Sequence, residues 1–271
     1  YWLHVLAEDK AGNRNAEATS VKFDVDLKDP VVTETAINSD TNVNRREKFV
    51  LSGAATDSHG IGTDNDDNVL ITVTQSLNGE EATPIPISEV AGDGGLVLIK
   101  VGTGYTWNIE DLPFGETEET RGNNAENGTY EYKITTTDLV GKTHTITRRV
   151  RFDSVGPEIE FTSPSYTPAE GSDPEEISWM NSGTLAVTGR ATDLTAVAGV
   201  YYSTAATAPT LPVQTNPEVQ LTDGDWTAQG WTKAGGSLTN WSVPFGGLDQ
   251  GVHAVWISAM DSNSNTTPAK Q

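Results

Sequence analysis

Cysteine is absent from the 271 residues, so the chain can form no disulfide, no zinc–thiolate site and no cysteine nucleophile. Long apolar runs are absent too, and no stretch approaches the roughly 18–20 residues that a membrane-spanning helix needs. Basic residues are scarce, because 17 Lys and Arg stand against 38 Asp and Glu, a formal net charge of −21. Since Lys and Arg drive binding to phosphate backbones, this charge argues against nucleic acid and anionic membranes as partners.

The start of the chain has neither an initiator Met nor an apolar signal segment, and we interpret the sequence as a fragment of a longer polypeptide. Its acidic, Thr-, Asn- and Gly-rich composition favours an exported protein, found outside the cell or on its surface. At about 100–150 residues per domain, the length predicts two domains and a partial third.

A strand-and-turn pattern occurs three times, with apolar or small side chains at every second position before an Asp. Its copies occupy 1–9, 130–138 and 253–261. A second strand follows each of the first two copies and ends in an Asp with a Pro four residues later, as in Asp26 with Pro30 and Asp153 with Pro157. Two further landmarks recur in the same order: the string Gly-x-Ala-Thr-Asp at 53–57 and 189–193, and a Trp at 107 and 241.

This fixed order across insertions of different length predicts tandem homologous domains. We place the last two strands of a truncated domain at 1–29, a complete domain at 30–156 and another at 157–271. We expect a short last strand near Ala269.

The secondary structure is predicted to be almost entirely β. Alternation of period two marks strands at 48–55, 69–74, 96–101, 129–136 and 144–152, and no stretch keeps a helical apolar face over three turns. Short β-branched strands separated by Gly, Asn and Asp turns predict β-sandwiches, arranged end to end because the linkers are short and contain Pro.

The pattern of residues 1–13, followed by a strand, Val25-Asp26 and Pro30, resembles the closing F and G strands of bacterial immunoglobulin-like repeats in large surface and adhesin-type proteins. It is less similar to fibronectin type III domains. The resemblance implies a fold and not an activity. The chain departs from antibody domains in lacking the paired cysteines, and its Trp107 and Trp241 lie later than the usual strand C tryptophan.

Two kinds of aromatic residue have a structural interpretation. Tyr1 and Tyr130 are expected to form tyrosine corners, with the ring under a sheet corner and the hydroxyl bonded to the backbone. His253 replaces the tyrosine in the last copy. Trp107 and Trp241 are expected to fill the space between sheets rather than to serve as ligand platforms.

Residues for catalysis are few. The four His are scattered, no nucleotide-binding glycine motif opens a helix, and adjacent acidic pairs lie in turns where their side chains diverge. We therefore expect no enzymatic activity.

The strongest chemical signal is the acidic loop from Asp57 to Asn68. Its carboxylates are hard oxygen donors on a flexible backbone, which Ca²⁺ prefers, although their spacing departs from the EF-hand. Calcium and a solvated polar loop are both open, and the candidate ligands are Asp57, Asp64, Asp66 and Asp67. A second calcium candidate is a domain junction, where Asp26 and Asp29 would meet Asp9 or Asp57.

The leading interpretation is a non-enzymatic spacer, stalk or adhesive segment of an exported bacterial surface protein, whose partners are the neighbouring repeats and an extracellular glycan or protein. One alternative is a carbohydrate-binding module, because five of the seven Trp fall in 157–271. Its candidate ligand-binding residues are Trp226, Trp231 and Trp256, although closure of a sandwich edge explains them equally. Another alternative is an accessory region of a secreted enzyme.

Overall fold

The computed structural model describes residues 1–39, 41–64, 68–90, 92, 94–163, 184–215, 219–251 and 253–271. The protein is all-β, with 48% strand and 5% helix, which confirms the predicted class. Among these residues there is no helix of the length and apolar character that crossing a membrane requires.

Residues 1–22 form an antiparallel hairpin of β1 (Trp2–Val5) and β2 (Thr19–Lys22). Every residue of both strands is exposed, so the hairpin has no core of its own. The prediction of a tyrosine corner at Tyr1 is wrong, because this residue is 72% exposed and its ring stacks on Phe23.

The described residues of the middle segment, 30–156, form nine strands: β3 (Val31–Glu34), β4 (Asn42–Arg45), β5 (Phe49–Thr56), β6 (Ile71–Leu77), β7 (Thr83–Ile85), β8 (Leu96–Val101), β9 (Gly104–Leu112), β10 (Gly128–Thr137) and β11 (Thr143–Phe152). One sheet has the order β3-β5-β9-β8 and the other β4-β11-β10-β6-β7. All neighbours are antiparallel except β4 and β11, which run parallel. Two turns of 3₁₀ helix, Glu118–Thr120 and Gly122–Asn124, precede β10.

Both sheets of the middle segment contribute to one buried apolar cluster. Period-two alternation places one face of β5, β6, β9 and β10 in this core. Trp107 lies in it at 2% exposure, which confirms its role as a core residue. The Tyr130 hydroxyl donates to the Glu126 carbonyl oxygen at 2.7 Å, so the tyrosine corner predicted there is present. Burial, with a smaller contribution from Glu126, raises the pKa of Tyr130 to about 12.

Glu34 holds the crossover from one sheet to the other between β3 and β4. Its carboxylate accepts the backbone N–H groups of Ile37 and Asn38, each at 2.8 Å, and the Nε–H of Arg148 on β11 at 2.9 Å. Glu34 is 2% exposed, so these three donors replace its hydration. The crossover is thereby tied to the opposite sheet.

The last segment, residues 157–271, contains β12 (Glu158–Ser163), β13 (Thr184–Thr192), β14 (Val197–Ser203), α1 (Asp223–Ala228), β15 (Thr232–Lys233), β16 (Gly235–Ser237), β17 (Asn240–Gly246) and β18 (Trp256–Asp261). Its sheets have the orders β12-β13-β17-β16 and β15-β14-β18. Taken in chain order, these repeat the arrangement of β3-β5-β9-β8 and β10-β6-β7. In place of the expected last strand, isolated antiparallel bridges pair Thr266 with Met260 and Lys270 with Ile257.

The helix α1 is a departure from the sequence prediction. The Thr222 backbone N–H donates to the Asp225 carboxylate at 2.7 Å, which satisfies a donor at the start of the helix. Trp226, at 0% exposure, extends from α1 onto the outer face of β14, where its ring stacks on Tyr201 at 4.0 Å. The sheet of β14 and β18 is therefore buried on both faces.

The glycine of each Gly-x-Ala-Thr-Asp string lies opposite the recurrent tryptophan. Gly53 pairs with Trp107, and Gly189 pairs with Trp241. At either glycine a Cβ atom would overlap a neighbouring strand's carbonyl oxygen and come into the tryptophan ring. Two of the recurring landmarks are thus one packing unit.

Candidate metal centres at the two junctions

The junction between the middle and last segments brings three carboxylates together. Asp153 follows β11, Asp193 follows β13 and Asp261 ends β18, and one oxygen of each lies within 4.8 Å of the others. Asp153 is 2% exposed and Asp261 is 1% exposed. We call this group the second-junction cluster.

Backbone donors fix the orientation of each of these carboxylates. Asp261 Oδ1 accepts the N–H groups of Asn263 and Asn265, each at 2.8 Å. Asp193 Oδ1 accepts the Thr195 N–H at 2.8 Å. These turns thereby fix the positions of the carboxylate groups.

Asp153 Oδ1 accepts the Val155 N–H at 3.2 Å, whereas its Oδ2 is buried and has no hydrogen-bond partner. A buried carboxylate oxygen in this state is costly unless a proton or a cation occupies it.

The electrostatics of the second-junction cluster reflect the same crowding. Burial, together with the neighbouring charge of Asp193, raises the pKa of Asp153 to about 6. Burial raises the pKa of Asp261 to about 6 as well, because it outweighs the hydrogen bonds from Asn265 that favour the ionised form. Ionisation of Asp153 and Asp261 therefore costs more free energy than ionisation of a free Asp, and a cation beside them would lower that cost.

The same turn of the last segment grips the linker that carries Asp153. Asn265 Nδ2 donates to the Asp153 carbonyl oxygen at 2.8 Å and to Asp261 Oδ2 at 2.7 Å. The Thr267 hydroxyl donates to the Pro157 carbonyl oxygen. Arg46 of the middle segment donates to the Ser264 carbonyl oxygen at 3.3 Å. Carboxylates and linker are therefore parts of one junction.

The junction between the hairpin and the middle segment repeats this layout with a different donor. Asp26 corresponds to Asp153 and Asp57 to Asp193, and one atom each of Asp26, Asp57 and His59 lie within 4.8 Å of one another. We call this group the first-junction cluster. The expected proximity of Asp26 and Asp57 is present, whereas Asp29 remains largely exposed and lies 3.9 Å from the Lys142 ammonium.

Within the first-junction cluster, Asp26 Oδ2 lies 3.1 Å from His59 Nδ1. The Asp26 side chain is only 3% exposed, and this oxygen makes no hydrogen bond. Asp57 Oδ1 accepts the N–H groups of His59 at 2.7 Å and Gly60 at 3.1 Å. Desolvation opposes ionisation of Asp57, but these bonds and the nearby imidazole outweigh it and lower its pKa.

Asp138 occupies the position in the middle segment that Asp261 occupies in the last. Its Oδ1 accepts two backbone N–H groups, from Val140 at 2.9 Å and Lys142 at 2.8 Å, and its Oδ2 is buried without a hydrogen-bond partner. Lys142 stands where Asn265 stands at the second junction, and its ammonium donates to the Lys28 carbonyl oxygen at 3.1 Å. The charged side chain of Lys142 thus binds the first linker.

The loop expected to bind calcium is only partly described. Asp57 belongs to the first-junction cluster, while Asp64 accepts the backbone and side-chain N–H groups of Asn68 at 2.9 and 3.0 Å. Asp66 and Asp67 lie outside the described residues. The four-carboxylate loop site therefore stays a prediction.

Between the two interpretations of the tryptophans in the last segment, burial favours the closing of an edge over the ligand platform. Trp226 and Trp231 are 0% and 1% exposed, so neither ring has a face open to a sugar. Trp256 is half-buried, packs beside them and donates its Nε1–H to the Ala205 carbonyl oxygen at 3.0 Å. The physical reason is that the apolar outer face of β14 and β18 requires a cover, and this segment provides it.

Sequence reasoning missed Asp193, Asp261 and His59 as candidate ligands. The available signal was the repeat itself, since each cluster takes the Asp that closes one copy and the Asp of the next Gly-x-Ala-Thr-Asp string. Periodicity in the sequence does not predict how those turns fold onto one another.

No family model matches the chain, and no curated protein matches it. Among solved structures, it is similar to a 1.5-MDa bacterial ice-binding adhesin studied for its retention at the host cell surface. That alignment covers 97% of this chain and 69% of the other, at 16% identity and a TM-score of 0.30. It is also similar to a Ca²⁺-stabilized adhesin with which an Antarctic bacterium binds ice, over 99% of this chain and 54% of the other, at 19% identity and a TM-score of 0.29. The chain thus spans about half the length of the second structure, and at these scores neither likeness assigns a function.

Proposed function

We propose that this chain is a non-enzymatic spacer segment of a bacterial surface adhesin-type protein. Immunoglobulin-like sandwiches at 30–156 and 157–271 follow a partial one at 1–29 and extend end to end. The observation that carries the proposal is the gripped linker, in which Asn265 and Thr267 of one segment bind the carbonyl oxygens of Asp153 and Pro157. Because the carbonyl oxygens of the linker accept these hydrogen bonds, bending between the two neighbouring segments is restricted.

The strand orders support the sandwich assignment. A four-stranded sheet β3-β5-β9-β8 packed against a sheet that contains β11-β10-β6 is the arrangement of immunoglobulin-type domains. The last segment repeats these orders, and the recurrent Gly–Trp pair occupies the same place in both. Tandem repetition of one unit suits a spacer, because length then grows by simple addition.

We further propose that Ca²⁺ occupies the second-junction cluster. All of its candidate donors are oxygens, two carboxylates are almost completely buried, and Asp153 Oδ2 has no other partner. Ca²⁺ prefers six to eight oxygen ligands, so water or carbonyl oxygens would complete the shell. Binding there would stiffen the array at the point where two segments meet.

Small-angle scattering of the whole chain tests the extended arrangement. A compact globule of 271 residues has a radius of gyration of about 18 Å. The spacer requires a value clearly above that of the globule, because end-to-end segments lie further from their common centre. A measured value near that of the globule contradicts the proposal.

Calcium-dependent unfolding tests the metal assignment. At a hundredfold excess of Ca²⁺ over the dissociation constant, the free energy of unfolding should rise by about 2.7 kcal/mol. The variants Asp153→Asn and Asp261→Asn should lose this gain yet be more stable than wild type in metal-free buffer at pH 7.5, because each removes a buried charge. The Asp64→Asn variant is the control and should keep the calcium gain; if it alone loses it, the ion belongs to the acidic loop.

A further inference from the structure

We propose that the first-junction cluster is a site for a transition-metal ion of the Zn²⁺ class, bound by Asp26, Asp57 and His59. The two junctions of the chain would then take different cations from the same structural position. This inference stands apart from the proposed calcium site, whose donors belong to other residues.

The donor set points to this class of metal. An imidazole nitrogen is a common ligand of Zn²⁺, Ni²⁺ and Cu²⁺, whereas Ca²⁺ takes oxygen donors. His59 enters the cluster at Nδ1, beside one carboxylate oxygen each from Asp26 and Asp57. Zn²⁺ accepts both His nitrogen and Asp oxygen as ligands, and sites with three protein ligands keep a position for water.

The spacing of the donors fits such an ion. Bonds of 2.0–2.1 Å place two ligands of one Zn²⁺ about 3.0–3.4 Å apart. His59 Nδ1 and Asp26 Oδ2 are 3.1 Å apart without hydrogen-bond geometry for that oxygen, and the Asp57 oxygen lies within 4.8 Å of both. A small closing movement of Asp57 would complete a three-ligand face.

The burial of the donors supplies the second argument. The Asp26 side chain is 97% buried, and its Oδ2 faces the imidazole with no hydrogen-bond donor of its own. Asp57 is held in place by two backbone N–H groups on Oδ1. His59 has 42% of its side chain exposed, which gives an ion access from solvent. The fold therefore holds the two carboxylates in place, while the imidazole side of the site is open to solvent.

Comparison of the junctions supports this choice of metal. The second-junction cluster has three carboxylates and no cationic side chain among its members. At the first junction the third member is His59, whereas Asp138, the counterpart of Asp261, is not among the three, and the Lys142 ammonium holds the linker. A nitrogen donor shifts the preference from Ca²⁺ towards a borderline metal.

The test is a calorimetric titration of the metal-stripped whole chain with ZnCl₂, with the His59→Asn variant beside it. We expect wild type to bind Zn²⁺ and the variant to bind it at least about tenfold more weakly, as loss of a ligand requires. The Asp26→Asn variant should behave like His59→Asn. The matched control is His4→Asn, which removes an exposed histidine far from the cluster in sequence and should leave the affinity unchanged.

Nitrogen-15 spectra of the imidazole rings give an independent readout. Zn²⁺ should shift the His59 Nδ1 resonance and leave that of His4 in place. Equal affinity of wild type and His59→Asn, no binding of Zn²⁺ at millimolar concentration, or an unchanged His59 spectrum each overturns the proposal. The calcium response must persist in His59→Asn and vanish in Asp153→Asn, so failure at one junction is distinguishable from failure at the other.

Discussion

At the scale of single residues, the packing of the fold depends on two glycines that have no Cβ atom. Gly189 lies under the Trp241 ring, and a Cβ there would overlap both that ring and the Glu160 carbonyl oxygen. Trp241 is 2% exposed and cannot turn outward without emptying the core. The glycine is therefore conserved between the two copies in this chain for a packing reason.

We expect Gly189→Ala to destabilise the last segment by about 3 kcal/mol, because overpacking against backbone leaves no side chain to move aside. Gly246→Ala is the control on a neighbouring strand, since a Cβ there would meet nothing within 4 Å. Its effect should stay within about 0.5 kcal/mol. Urea unfolding measures both, and similar values for the two variants would refute the packing explanation.

At the scale of single elements, the crossover between β3 and β4 depends on one buried carboxylate. Removing Glu34 would leave the Arg148 guanidinium, whose side chain is 13% exposed, without its partner, and would free two backbone N–H groups. The Glu34→Ala variant should lose about 3–5 kcal/mol of unfolding free energy in the middle segment.

The control for Glu34 is the more exposed ion pair of Glu131 and Arg149, at 2.8 Å on the outer face of β10 and β11. Glu131→Ala should lower the free energy of unfolding by less than about 1 kcal/mol. Chemical denaturation followed by tryptophan fluorescence distinguishes the two cases. Equal losses would mean that Glu34 acts only as a surface charge.

Elements differ in how far their sequence predicted them. Strands β5, β10 and β11 follow from alternation because one face of each is more buried than the other. The predicted β8 is present, but its burial decreases along the strand instead of alternating. α1 was missed: it is six residues long and has no repeating apolar face, and the Thr222–Asp225 pair is its one local signal. The sequence left Trp226 between two interpretations for a related reason, since a Gly-rich surface segment and a cover for a sheet have the same composition.

At the scale of the whole molecule, the second junction should make stability depend on pH. In metal-free protein Asp153 and Asp261 keep protons until about pH 6, whereas an unfolded Asp loses its proton near pH 3.9. The folded state thus binds more protons between these values, so the free energy of unfolding should fall as pH rises from about 4 to above 6. A shift of two units on one group corresponds to about 3 kcal/mol.

The measurement is urea unfolding of the metal-free chain at pH 4.5 and pH 7.5, in wild type and in Asp153→Asn. The substitution replaces a titrating group by a neutral amide, so the difference in stability between the two pH values should shrink. If wild type and variant change in parallel, the pH dependence arises from the general acidity of the chain and not from the junction.

The candidate sites were predictable only in part. The closing Asp, the Pro and the Gly-x-Ala-Thr-Asp string predicted that acidic groups meet where one repeat follows another, and Asp26 with Asp57 does so. The partners His59 and Asp261 depend on how the turns of each junction fold over its linker. At the second junction this depends on Asn265 and Thr267, whose contacts join residues more than 100 positions apart in sequence. Local periodicity contains no information about such contacts.

The parallel pairing of β4 with β11 has a mechanical consequence. These strands lie near the two ends of the middle segment and are joined from Asn42–Arg149 to Arg45–Phe152. Tension along the chain pulls β4 towards its start and β11 towards its end, so it loads their hydrogen bonds in shear, all at once. Bonds loaded together must break together, whereas a hairpin pulled from its open end would unzip one bond at a time. We therefore expect the β4–β11 ladder to resist tension up to a threshold and then to yield in a single step.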